Sequence, residues 1–206
     1  SAHLVDAFKN QRDDVISYAS KLVIEEGHIP FLPVIPVSHL SLNDQMKLVE
    51  YDGEKGVNYL GDNFNDTPVP NSPYFIFDVE NGKETLGKTP DEAGTIIKRD
   101  GRDVLTTAEV IALAIHTDVL SRHNVFAVGS RHGGDGVAGL WLHGGEPKLY
   151  WDWANDSDAR WGAASCGVEW NFEAWKLDFL FFYLWFYFFA GEISLFMPEN
   201  RDRFNG

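Results

Sequence analysis

Cysteine is nearly missing from this chain: Cys166 is the single example in 206 residues. One thiol forms no internal disulfide and no cysteine-based zinc cluster. It suits a reducing, cytoplasmic setting. Basic charge is also scarce, with 17 Lys and Arg against 31 Asp and Glu, a net charge of −14. Affinity for nucleic acid comes mainly from Lys and Arg on phosphates, so a nucleic-acid partner is disfavoured. An anionic membrane surface is disfavoured on the same ground. The opening run "SAHLVDAFKNQRDD" has no basic region followed by an apolar one, so no signal peptide is expected. The longest apolar run, "FLFFYLWFYFFA" at 179–190, has twelve residues, short of the roughly twenty a spanning helix needs.

What is present predicts a single α+β domain over 1–206, with a largely antiparallel sheet and flanking helices. Leu4, Phe8, Val15, Tyr18, Ala19 and Leu22 recur at helical spacing, which predicts an N-terminal helix over 3–24, stopped by Gly27. The three prolines of "HIPFLPVIPVSHL" forbid an interior strand and predict an extended edge. A short helix is expected over Leu42–Glu50, then a loop over 52–73. "YFIFDV" (74–79) reads as a strand closed by a hairpin turn at Asn81-Gly82. Thr89-Pro90-Asp91-Glu92 and Thr106-Thr107-Ala108-Glu109 are capping boxes that each start a helix. "NVFAVGS" (124–130) is a second strand.

"GLWLHGGEPKLYWDW" predicts a hairpin with Gly144–Pro147 as a four-residue loop, pairing Leu142 with Leu149 and Trp141 with Tyr150. Its alternation separates Leu140, Leu142, Leu149, Trp151 and Trp153, expected on the core, from Trp141, His143, Lys148, Tyr150 and Asp152. The second set is either a binding face or a surface covered by helices.

"GDGVAG" (134–139) matches a dinucleotide fingerprint in letters, but "LWLHGG" follows it with strand alternation where a helix N-terminus is required. The longer stretch "GSRHGGDGVAG" reads as a loop whose Arg131, His132 and Asp135 can meet a ligand. Cys166 is a nucleophile candidate only beside a base such as His132 or His143. Its other reading is a small buried apolar residue. The seven histidines include no pair at the four-residue spacing of a helical zinc site, so no metal and no cofactor is expected.

"PYFIFDVENG", "LTTAEVIALAIHTDVLSRHNVFAVGSR", "LWLHGGEPKL" and "WGAASCG" together resemble an uncharacterised bacterial domain family over residues 30–167. The resemblance implies kinship and no activity. The aromatic segment 170–206 departs from it. As a strand, 179–190 would be apolar on both faces and would need burial in the core or in a homodimer seam.

Three functions follow. The first is a binding domain for a small molecule or a protein, using Arg131, Asp135, Trp141, Tyr150 and Asp152, with His143 on the same face. The second is a hydrolase or transferase with Cys166 as nucleophile and His132 or His143 as base. The third is an assembly module built on the aromatic tail.

Overall fold

The computed structural model describes residues 2–60 and 65–170, and the aromatic run 179–190 with the rest of the tail lies outside the described residues. In chain order the elements are helix α1 (Ala2–Ala19), strand β1 (Ile29–Val34), helix α2 (Leu42–Met46) and short strands β2 (Glu50–Tyr51), β3 (Glu54–Lys55), β4 (Val57–Asn58) and β5 (Asn65–Asp66). Strand β6 (Tyr74–Val79), helix α3 (Pro90–Arg99), strand β7 (Asp103–Val104) and helix α4 (Thr107–His116) follow. The chain continues through β8 (Asn124–His132), β9 (Gly136–His143), β10 (Glu146–Trp153), β11 (Trp161–Ala163), β12 (Ser165–Cys166) and β13 (Val168–Trp170). The architecture is α+β with mostly antiparallel pairing.

Two sheets carry the fold. One has the order β1-β6-β13; the other runs β11-β8-β9-β10-β4, with β5 added to β8. β1 is an edge strand, as its prolines require, because an interior strand needs the N–H groups that proline lacks. β6 is buried on both faces. Tyr74 and Ile76 join the main core, while Phe75 and Phe77 meet Phe8 and Tyr18 of α1 edge-on, at 5.4 and 5.0 Å between ring centres. Helix α4 is apolar nearly all round and sits inside that core, with Ile111 and Leu113 wholly buried.

Several expectations need correction. Helix α1 ends at Ala19 and α2 at Met46, both earlier than their periodicity suggests. The stretch 52–73 carries β3, β4 and β5. Asn81-Gly82 makes no hairpin: β6 pairs with β1 and β13, and Gly82, at φ +102°, leads into a 3-10 turn at Lys83–Thr85. The glycine serves a close approach between distant segments, since a Cβ on Gly162 would lie 1.9 Å from the Gly82 carbonyl oxygen. "GSRHGGDGVAG" is not a loop. It forms the ends of β8 and β9, joined by Gly133, Gly134 and Asp135. Its fingerprint-like glycines run into a strand, as their flanking sequence indicates.

The β9–β10 hairpin turns on two residues, Gly144 and Gly145, at φ +66° and +84°. Two glycines with positive φ suit the tight turn that matches strand twist, so the loop is shorter than expected. Trp141 therefore opposes Lys148, and Gly139 opposes Tyr150. The slip is an even number of residues, so the two faces keep their membership. Leu140 and Leu149 are fully buried, and Leu142 and Trp151 pack against the same core. Trp153 is more than half exposed, a correction to its expected place in the core.

Candidate functional site

The opposite face of the large sheet is divided. Near β8 it is covered by α3, and Phe126, Val128 and Val137 form a second core there with Ala93, Ile97 and Trp161. Farther out, along β9 and β10, no helix among the described residues covers it. Trp141, Tyr150 and Asp152 line a cleft of about 340 Å³, completed by Trp151, Trp161 and the segment carrying Asp156, Ser157, Asp158 and Arg160. A helix thus covers this face near β8, while along β9 and β10 the described residues leave a cleft.

The cleft owes its shape to Gly139. Without a Cβ, this residue lets Trp161 lie flat across β9, where it stacks on Phe126 at 4.4 Å and 21° between ring planes. Trp141 stands 6.0 Å from Trp161 and 4.9 Å from the His143 ring. Trp141 Nε1 is buried and has no hydrogen-bond partner among the described residues. Of the acids, Asp158 is paired with Arg160 at 3.1 Å, which holds its carboxyl below the usual range. Asp152 and Asp156 accept backbone N–H bonds from Trp153 and Ser157 and form no ion pair among the described residues. The cleft therefore joins aromatic surface to carboxylate acceptors.

Arg131 and Asp135 lie elsewhere. They line a separate depression with Asp91, Gly134, Trp153, Ala154 and Asn155. Arg131 is held by Asp91 at 3.0 Å. His132 opposes Gly136 at one end of β9, and its ring lies 5.8 Å from that of Trp151. His143 ends the same strand at the other end, seven residues on, roughly 23 Å away at strand rise. The two histidines are not brought together. Cys166 is fully buried in the main core, with its backbone paired to Asp103.

A second constellation has no counterpart among the expected site residues. His28, in the turn between α1 and β1, is nearly buried, and its Nδ1 lies 2.8 Å from Asp78 Oδ1. His28 Nε2 lies 3.9 Å from a Glu25 carboxylate oxygen and 3.9 Å from one of Glu84. Asp78 has a left-handed backbone, φ +51°, and is also bound by Arg102. Burial raises its pKa, but hydrogen bonds from Arg102, His28 and the Glu25 backbone outweigh burial and hold it below the usual carboxylate range. The local signal was Glu25-x-x-His28. Glu84 lies 56 positions farther on and joins only through the fold.

Fold and site together define an α+β domain whose described residues form a cleft lined by aromatic rings and carboxylates. The chain belongs to DUF5701, a family of unknown function, whose model matches residues 2–171. That match takes in α1 as well as the stretch read as a resemblance. No curated protein and no solved structure matches the chain. Among the described residues, no helix is long and apolar enough to cross a membrane.

Proposed function

We propose that this chain is a binding domain whose ligand seats in the cleft of Trp141, Tyr150 and Asp152. The observation that carries this reading is their convergence with Trp161, Asp156 and Asp158 on one concavity. A ligand suited to it is a small molecule with one flat or apolar face to stack on the rings and hydrogen-bond donors, hydroxyl or ammonium, for the carboxylates. The unpartnered Trp141 Nε1 supports the same assignment, since a buried donor without an acceptor costs stability. The acidic lining disfavours phosphate groups, in keeping with a cytoplasmic domain that avoids nucleic acid.

The nucleophile reading draws no support from a thiol without solvent access and two histidines on different strands, at opposite ends of the β8–β9 pair. Partner binding through 179–190 rests on residues outside those described.

Ligand-observed NMR against a panel of monosaccharides and alkylammonium ions tests the proposal. We expect a binder whose signal is lost in Tyr150→Ala and Asp152→Asn, both of which alter half-open side chains. Absence of any binder, or binders indifferent to both substitutions, would refute it.

A further inference from the structure

We propose that Glu25, His28 and Glu84 form a binding site for a divalent transition-metal ion, with zinc the best match to one imidazole and two carboxylates.

The side chain of His28 is only 5% exposed, yet its Nε2 makes no hydrogen bond among the described residues. It points between two carboxylates, and the three prospective ligand atoms lie within 4.8 Å of one another. Two acids converging on one nitrogen repel each other unless a positive charge sits among them. The observed separation is 3.9 Å for both. Around zinc, with bonds of about 2.0–2.2 Å, ligands at the tetrahedral angle lie about 3.4 Å apart. Both glutamates are more than half exposed, at 66% and 61%, so their stems can close that gap.

The surroundings match what a ligating histidine needs. Nδ1 contacts Asp78 Oδ1, which assigns the N–H to Nδ1 and leaves the Nε2 lone pair for a metal. Asp78 is fixed in turn by Arg102 and by the Glu25 backbone N–H at 3.2 Å, so one carboxylate orients two ligand-bearing residues. Three protein ligands leave a fourth position for water on the solvent side. The bound ion would tie the turn ahead of β1 to the 3-10 turn after β6.

The full chain, stripped with a chelator and dialysed, is titrated with Zn²⁺ by calorimetry and its bound metal measured by mass spectrometry. We expect one zinc per chain, a raised melting temperature on binding, and ligand-field bands when Co²⁺ replaces zinc. Glu25→Gln/Glu84→Gln changes only exposed side chains and should fold as wild type, yet lose the bound ion. Asp78→Asn should weaken binding by about 10–100-fold, as loss of an orienting partner does. Absence of stoichiometric zinc on the wild type overturns the site. So does equal uptake by the double variant, which would place zinc elsewhere on the chain.

Discussion

Arg102 and Asp78 form an ion pair, Nη1 to Oδ2 at 2.6 Å, with side chains only 11% and 14% exposed. The same guanidinium donates to Ser165 Oγ at 2.9 Å and to the Asp78 carbonyl. It thereby ties β6 to β12 where Asp78 leaves ordinary strand geometry. Gly167 is part of this arrangement, because a Cβ there would lie 3.0 Å from Asp78 Oδ2.

Removing one partner of such a pair leaves a charge without compensation. Arg102→Met should therefore destabilise the fold by about 3 kcal/mol. Adding Asp78→Asn should recover part of that loss, since asparagine tolerates positive φ and carries no charge. Urea midpoints of the single and double variants measure both. The pH dependence has a definite sign. Asp78 has a depressed folded pKa, so its contribution is present above the unfolded aspartate value of about 3.9 and is lost as pH falls through the folded value. Arg102→Met should flatten that acid limb.

Glu109 has the opposite sign. It is wholly buried at the start of α4, accepting from Tyr74 Oη at 2.8 Å and from Thr106 N and Oγ1 at 2.6 and 2.8 Å. Burial pushes its pKa up and outweighs these hydrogen bonds, with the Asp66 carboxylate adding to the rise. Its contribution is complete below the unfolded glutamate value of about 4.3 and is lost, at about 1.4 kcal/mol per pH unit, as pH rises toward the folded value. Glu109→Gln should make the protein relatively more stable at neutral pH and remove this part of the slope. Glu80 and Asp66, also raised by burial, should keep a residual slope in the variant. Denaturant midpoints across acid to mildly alkaline pH give the comparison.

The parts of this molecule that were legible from sequence are those encoded by neighbours. Thr89 and Thr106 are followed at the third position by Glu92 and Glu109, and both helices start where those caps place them. Trp141, Tyr150 and Asp152 share a face because strand parity survives a slip of two. What was hidden depends on contacts between distant segments. Gly82 reads as a hairpin-turn residue, and only the fold shows it leading into a 3-10 turn packed against Gly162. Asp156, Asp158 and Trp161 reach the cleft through the fold of 154–161, which has no periodic signature. Glu84 meets His28 only because β6 carries it back past the start of β1.

Gly139 offers a direct handle on the cleft. It lies opposite Tyr150 on β10, and a Cβ at this position would come within 2.5 Å of the Trp161 ring. The obstacle is a side chain and not backbone, so the strand can persist while the indole moves. Gly139→Ala should displace Trp161 from Phe126, cost about 1–3 kcal/mol by overpacking, and narrow the space beside Tyr150. The near-ultraviolet circular dichroism of the stacked rings should fall while the far-ultraviolet spectrum stays at the wild-type value. Any ligand found for the wild type should bind this variant more weakly, although Trp141, Tyr150 and Asp152 are all still present. Unchanged affinity with an altered aromatic signal would mean that Trp161 is a wall of the core and not of the site.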